Sequence, residues 1–231
     1  MLFDNWVCLQ ERVRKAARKA GRSESSITLV AVTKKVPVDQ IREAFSLGIR
    51  QIGESRVQEA QRKREALIDP GGVIWHLIGS LQTNKVKPAV RMFDLIQSLD
   101  RWPLAETIER EASRSGKIQD CLVQVKVSEE DPKHGLPPEE LSDFLARLKD
   151  LAHIRVRGLM AMAPWVSSPE DARPYFSRAY KLFEKCFAQD IGSSLILSMG
   201  MSSDFEVAIE EGANMVRVGT ALFQSQQEED T

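Results

Sequence analysis

Cysteines are scarce in this sequence, and long runs of apolar residues are absent. The three cysteines, Cys8, Cys121 and Cys186, lie far apart and lack the spacing of a metal site. An odd number of separated cysteines is typical of reduced thiols, so we expect a cytoplasmic protein. No apolar stretch approaches the length of a membrane span, and the amphipathic first 22 residues carry acidic side chains, unlike a signal peptide. We therefore expect no membrane partner.

Net charge is almost absent as well. The chain has 32 basic and 33 acidic side chains, which leaves a formal charge of −1. Proteins that bind nucleic acid or anionic membranes usually carry an excess of basic residues, so neither is expected as the main partner. No large exposed apolar surface is evident from the pattern either, which favours a monomer.

Common catalytic and phosphate-binding signatures are also missing. There is no Walker loop, no Gly-x-Gly-x-x-Gly, no His-Glu-x-x-His and no carboxylate cluster for a metal. No linker rich in glycine, serine or proline divides the chain, so residues 1–231 are predicted to form one domain. Residues 1–22 predict an amphipathic helix at its start, and the polar residues 224–231 predict a disordered tail.

Between these ends, short apolar strands alternate regularly with amphipathic helices. Eight such β/α units in a chain of this length favour a (β/α)8 (TIM) barrel over an open doubly wound sheet. The fold class is therefore α/β, with one extra helix before the barrel. The predicted strands are Ile27–Lys34, Arg50–Gly53, Val73–Gly79, Leu95–Leu99, Cys121–Val127, Ile154–Met160, Leu195–Met199 and Met215–Gly219.

Polar residues follow several of these strands at their carboxyl ends, where barrels of this type hold their ligands. Lys34 ends the first strand, and a lysine amine that is partly desolvated there suits Schiff-base chemistry. The simpler alternative is a lysine that only solvates the end of a strand. The whole convergent set comprises Lys34, Glu54, Ser55, His76, Ser198, Ser202, Ser203, Arg217, Gly219 and Thr220.

The segments after strands 7 and 8 predict a phosphate site. Gly200–Glu206 places small and hydroxyl residues at a helix start, where free N–H groups and the Ser202 hydroxyl can hold a phosphate. Gly219 and Thr220 add a close backbone approach and a further hydroxyl. The alternative is structural, because Ser203 and Glu206 also have the spacing of a capping box.

Two of the titratable residues predicted inside strands, Arg217 and His76, belong to this convergent set. Strand alternation places Val216 and Val218 on the opposite face from Arg217, so Arg217 points into the barrel if the valines face the helices. A guanidinium there needs an acceptor, either a structural carboxylate or the ring nitrogen of a ligand. His76 fits a hydrogen-bonded core histidine as well as a functional one.

Six short segments of the chain resemble those of one known family. Ala31–Lys34 resembles the Ala-Val-Ser-Lys of the pyridoxal phosphate homeostasis protein family, in which the lysine carries the cofactor. Ile52–Glu59 is similar to its Phe-Gly-Glu-Asn-Tyr-Val-Gln-Glu, with Ser55 at the position of the asparagine. The other matching segments are Trp75–Lys85, Arg157–Ala161, Leu197–Ser202 and Val216–Phe223. The matches run in order over nearly the whole chain.

The resemblance implies a barrel of the alanine-racemase type that binds pyridoxal 5′-phosphate. It implies a Schiff base on Lys34, phosphate contacts from Ser202, Gly219 and Thr220, and Arg217 beside the pyridine nitrogen. It further implies a role in intracellular pyridoxal phosphate homeostasis, with apo-enzymes that use the cofactor as candidate partners.

Two functions of different classes remain open at this point, a carrier without turnover and an amino-acid racemase. A racemase needs a second base besides the lysine, and the only tyrosines are Tyr175 and Tyr180, on the helix after strand 6. An arginine beside the ring nitrogen keeps that nitrogen unprotonated, which weakens the ring as an electron sink. Both arguments favour the carrier, and we expect no catalytic residue.

Overall fold

Eight parallel strands close into a barrel in the order of the sequence, with β8 hydrogen-bonded to β1. This closed sheet, seen in a computed structural model, confirms the predicted (β/α)8 fold. The structure describes residues 1–128, 135–188 and 194–224. The predicted disordered tail, apart from Gln224, lies outside the described residues.

Five of the eight strands, β1, β3, β5, β7 and β8, are shorter than the apolar runs that predict them, because their ends turn into the connecting loops. β1 ends at Val32, two residues before Lys34, and β5 begins two residues before Cys121. The bounds are β1 Thr28–Val32, β2 Gln51–Glu54, β3 Ile74–Leu77, β4 Leu95–Leu99, β5 Gln119–Gln124, β6 Ile154–Met160, β7 Ile196–Ser198 and β8 Met215–Val218.

Helices cover the outer face of the barrel, and their apolar faces pack on the strands. Short 3-10 turns at Pro138–Glu140 and Pro169–Ala172 each lead into an α-helix, with proline at the first position of the turn. The α-helices of the described residues are α1 Leu2–Lys19, α2 Val38–Ser46, α3 Val57–Ala66, α4 Val86–Met92, α5 Trp102–Arg114, α6 Leu141–Leu148, α7 Arg173–Phe187, α8 Phe205–Glu210 and α9 Thr220–Phe223. In these ranges no helix combines the length and the apolarity needed to cross a membrane.

The extra helix α1 binds the two helices that follow β7 and β8. Arg12 donates two hydrogen bonds to the carboxylate of Glu206 on α8, each 2.8 Å long. The side-chain amide of Asn5 donates to the carbonyl of Leu222 on α9, at 3.0 Å. Because α8 and α9 flank the loops predicted to hold phosphate, α1 braces that end of the molecule.

Two apolar layers are separated by the sheet. The larger one lies between strands and helices and includes Val216 and Val218. The smaller one lies inside the barrel and consists of Val30, Leu95, Leu122, Met160 and Met215. Arg217 lies on the opposite face of β8 from the two valines and points into the barrel, as the sequence predicts.

A chain of hydrogen-bonded side chains completes the barrel interior. Arg217 Nη1 donates to Ser198 Oγ at 2.6 Å, and Ser198 Oγ donates to Gln97 Oε1 at 2.7 Å. The amide of Gln97 donates to His76 Nδ1 at 3.1 Å, and His76 Nε2 donates to Gln51 Oε1 at 2.7 Å. Every donor in this assignment points away from Arg217, which requires a neutral His76 with its proton on Nε2.

A bulge in β6 brings a carbonyl to the same arginine. The register between β5 and β6 shifts near Gly158, whose φ is +134°. A Cβ there would lie 2.0 Å from the carbonyl oxygen of Ile196, so only glycine fits. After the bulge, the carbonyl of Ala161 accepts a hydrogen bond from Arg217 Nη2 at 3.0 Å.

The buried His76 predicts a distinct loss of stability in acid. Burial lowers its pKa from 6.5 to about 4. Between these pH values the unfolded chain binds a proton that the folded protein excludes, so the free energy of unfolding falls as the pH falls from 6.5 towards 4. The total loss from this group is about 3 kcal/mol. Urea unfolding at a series of pH values, for wild type and His76→Gln, measures it.

We expect the wild type to lose more stability than His76→Gln across that range, because glutamine does not titrate. Above pH 7 the two curves run parallel, since His76 is then neutral in both folded and unfolded states. Equal slopes below pH 6.5 would show that His76 is protonated in the folded protein.

Candidate functional site

Lys34 lies in the turn between β1 and α2, at the carboxyl end of the barrel. Thr33 N still donates to the carbonyl of Gly53 at 3.0 Å, and the N–H of Val36 donates back to the carbonyl of Thr33 at 2.9 Å. Lys35 has a φ of +62°, which turns the chain out of the strand. Lys34 is exposed, so the predicted desolvation is not observed. Among the described residues its amine has no hydrogen-bond or ion-pair partner.

The end of β8 lies directly beside the end of β1. The pairing of the two strands places Val30 opposite Arg217 and Ala31 opposite Val218. One residue later, a Cβ on Gly219 would lie 3.3 Å from the carbonyl oxygen of Val32, which is closer than most side chains tolerate. Gly219 therefore lets the start of α9 approach the strand that leads to Lys34.

Ser202, Gly219 and Thr220 come together at the start of α9. Ser202 Oγ accepts hydrogen bonds from the N–H of Gly219 at 3.2 Å and the N–H of Ala221 at 3.3 Å. Thr220 is the first residue of α9 and is exposed. Two backbone donors of one helix start thus converge on one acceptor, the arrangement that the N-termini of helices offer to anions.

The capping box between Ser203 and Glu206 is not formed. α8 begins only at Phe205, and the preceding Asp204 accepts a hydrogen bond from Met201 N at 2.6 Å. Glu206 instead pairs with Arg12. Ser203 does not cap the helix, because the turn of Gly200 to Asp204 holds the first residues of the predicted helix.

Arg217 carries a buried positive charge whose partners are neutral. Its side chain contacts the Ser198 hydroxyl and the Ala161 carbonyl, and no carboxylate of the described residues lies within ion-pair distance. Burial lowers its pKa to about 10, against the opposing charge of Asp204, so it remains a cation at neutral pH. The sequence allows two acceptors for Arg217, a structural carboxylate or the ring nitrogen of a ligand. Within the described residues, no carboxylate contacts it.

The sequence predicts that Glu54 faces the mouth of the barrel, and this prediction is wrong. Its carboxylate is fully buried and accepts hydrogen bonds from Thr33 Oγ1 at 2.5 Å and from Lys63 Nζ at 2.7 Å. Its second oxygen, Oε2, is buried without a partner among the described residues. Burial raises the pKa of Glu54, and the hydrogen bonds from Lys63 and Thr33 oppose that rise.

Lys63 and Gln97 are two buried polar residues near the site that the sequence analysis does not include among its candidates. Lys63 lies on a strongly charged helix, where a lysine usually faces water, and nothing in the spacing marks it as buried. Gln97 does carry a signal, since it is the one amide side chain in the apolar strand Leu95–Leu99. A polar residue at that position must find a buried partner.

A cavity of about 720 Å³ lies elsewhere on the molecule, between α6, α7 and the start of β6. Apolar side chains line it together with four basic ones, Lys149, Arg155, Arg157 and Lys185. None of the predicted site residues contributes to its lining. The candidate site is therefore identified by its converging side chains and not by the size of a cavity.

Comparison with known families matches this chain over nearly its full length. A family model described as alanine racemase, N-terminal domain, matches residues 7–227. A pyridoxal phosphate homeostasis protein of Aquifex aeolicus is 45% identical over 213 residues, which cover 92% of this chain and 93% of that protein. The protein of the same name from Escherichia coli K12 is 34% identical and covers 95% and 94% of the two chains.

Solved structures give the same relationship. PipY of Synechococcus elongatus, with pyridoxal phosphate bound, is 41% identical over 86% of this chain and 92% of its own, with a TM-score of 0.78. An alanine racemase of Clostridium difficile is only 16% identical, with a TM-score of 0.71, and covers 58% of its own chain, so it shares the fold alone. By these matches, and by the ordered motifs along its barrel, the chain belongs to the pyridoxal phosphate homeostasis protein family.

Proposed function

We propose that this protein binds pyridoxal 5′-phosphate as a Schiff base on Lys34 and serves the intracellular homeostasis of that cofactor. The residues that would hold it are Lys34, Ser202, Arg217, Gly219 and Thr220. The observation that carries the proposal is the buried cation of Arg217, whose hydrogen-bond partners among the described residues are neutral. It lies on the strand next to the one that leads to Lys34.

The residues at the start of α9 fit the phosphate of this cofactor. A phosphate needs several donors that converge, and the N–H groups of Gly219 and Ala221 already point at one acceptor, Ser202 Oγ. The Ser202 and Thr220 hydroxyls add two further donors. α1 braces these loops through α8 and α9, so the donors are held in place before any ligand arrives.

When bound, pyridoxal phosphate supplies an aldehyde that condenses with a lysine amine, releasing water, and a ring that can withdraw electrons. Lys34 fits the first role because its exposed amine has no partner among the described residues. Arg217 limits the second role. A guanidinium that stays charged at neutral pH can only donate hydrogen bonds. A ring nitrogen beside it therefore stays unprotonated, and the ring withdraws electrons weakly.

A carrier role agrees with the positions of the tyrosines. Both belong to α7, on the outside of the barrel. Tyr180 packs against the loop at Gly212, where a Cβ would lie 2.3 Å from its ring, and Tyr175 packs against the outer core. Neither is placed to act as a second base opposite Lys34, which an amino-acid racemase needs.

The family resemblance and the composition together support a wider role for the protein. We infer one domain over residues 1–231 that works as a monomer in the cytoplasm and passes the cofactor to apo-enzymes that need it. The nearly balanced charge and the separated cysteines support this setting. A nucleic-acid partner is not part of it.

The covalent attachment can be tested directly. Apoprotein is loaded with pyridoxal phosphate, reduced with borohydride and digested, and the peptides are mapped by mass spectrometry. We expect one labelled lysine, Lys34, and visible absorbance of the Schiff base before reduction. Lys34→Ala should lose both, while Lys35→Ala keeps both, because only the backbone N–H of Lys35 is used in the turn. A label on another lysine, or none, would overturn the assignment.

The absence of turnover is a separate prediction. Loaded protein is incubated with a panel of L-amino acids in D₂O, and exchange at the α-carbon and racemisation are followed by NMR and chiral chromatography. We expect rates no higher than those of free pyridoxal phosphate at equal concentration, because neither tyrosine faces Lys34 and Arg217 weakens the electron sink. Rapid racemisation that Lys34→Ala abolishes would identify an enzyme instead.

A further inference from the structure

The turn that carries Lys34 rests on a buried ionic cluster formed by Glu54, Glu59 and Lys63, here called the Lys63 cluster. The ammonium of Lys63 donates to Glu54 Oε1 and to Glu59 Oε1, both at 2.7 Å. Its third donor goes to the backbone carbonyl of Thr33 at 2.5 Å. All three protons of one lysine are thus used, two by carboxylates and one by the turn itself.

The cluster holds the residue before Lys34 by both its side chain and its backbone. The hydroxyl of Thr33 donates to Glu54 Oε1, and the carbonyl of Thr33 accepts from Lys63. Thr33 is completely buried. Its position is therefore set by the same two charges that pair with each other.

The cluster also holds the residue after Lys34. Glu59 Oε1 accepts a hydrogen bond from the backbone N–H of Lys35 at 2.8 Å, besides the one from Lys63. Lys35 is the one non-glycine residue with a positive φ in the described chain. That conformation is strained for a lysine and persists only where neighbouring contacts impose it. Lys34 lies between two residues that the cluster fixes.

Stability alone is a poor reason for this arrangement. Glu54 is fully buried and the side chain of Lys63 is 8% exposed, so both charges have lost their water. Buried ion pairs of this kind often contribute less to folding than apolar side chains of the same size. One oxygen of Glu54 has no partner among the described residues, which adds to the cost.

We propose that Glu54, Glu59 and Lys63 are positioning residues for Lys34, and that they hold the Thr33–Val36 turn in the conformation that presents its amine to the cofactor site. The inference rests on the proposed function, since it concerns the lysine to which pyridoxal phosphate attaches. None of the three residues contacts the cofactor in this scheme. They act through the backbone of Thr33 and Lys35.

The main test compares Lys63→Met with Lys117→Met. Lys117 is a suitable control because it is half-buried and, like Lys63, donates to backbone carbonyls, those of Val90 and Phe93, but it lies away from the turn. The first measurement is hydrogen exchange of the Lys35 and Val36 amides in cofactor-free protein. We expect faster exchange in Lys63→Met, and unchanged exchange at these amides in Lys117→Met.

The second measurement is the rate at which added pyridoxal phosphate forms the Schiff base, followed by its absorbance. A misplaced reacting group commonly costs up to about 100-fold in rate, and we expect a loss of about 10- to 100-fold for Lys63→Met. Lys117→Met should react like the wild type even if its urea midpoint falls. This contrast separates loss of positioning from general loss of stability.

A milder pair of variants keeps the test decisive if Lys63→Met fails to fold. Glu59 has a side chain that is 28% exposed, so its replacement is better tolerated. Glu59→Ala removes the acceptor for the Lys35 amide and should accelerate its exchange and slow attachment. Glu59→Gln keeps an oxygen there and should restore both towards wild-type values.

Unchanged exchange and unchanged attachment in Lys63→Met and Glu59→Ala would overturn the inference. If the wild type itself forms no Schiff base, the proposed function fails. The exchange measurement on cofactor-free protein would then still decide whether the Lys63 cluster holds the turn.

Discussion

The parallel pairing of β8 with β1 is the constraint on which the site depends. It closes the sheet, so that no strand edge is left open, and it brings the two ends of the sequence side by side. Its register sets Arg217 opposite Val30, and Gly219 lets α9 begin against Val32. The amine of Lys34 and the amides at the start of α9 therefore belong to one mouth.

Two buried cations near this mouth are stabilised in opposite ways. Lys63 is paired with two carboxylates, and its charge is compensated within the protein. Among the described residues Arg217 contacts a hydroxyl and a carbonyl, so no carboxylate in contact with it compensates its charge. Lys63 is thus paired beside the turn of Lys34, whereas Arg217, the cation proposed to face the ligand, is held in place by a hydrogen-bonded chain through the barrel interior to Gln51.

Part of the site follows from periodicity in the sequence. Strand alternation correctly predicts that Arg217 faces away from Val216 and Val218, because side chains in a strand alternate strictly between two faces. Periodicity does not predict the contacts at the ends of the strands and beyond them. Glu54 turns back to Lys63, the capping box at Ser203 is not formed, and Lys34 is exposed, since the loops follow tertiary hydrogen bonds instead of a period.

The sequence by itself determined the eight β/α units, the family, and the identity of Lys34 and Arg217 as candidate residues. Each of these follows from a local pattern of residues or from the ordered motifs along the chain. Only the tertiary structure decided which charges meet. The pairing of Lys63 with Glu54, the neutral partners of Arg217, and the convergence of two amides on Ser202 each join different elements of the barrel. Such contacts depend on barrel closure and helix docking, which no local pattern encodes.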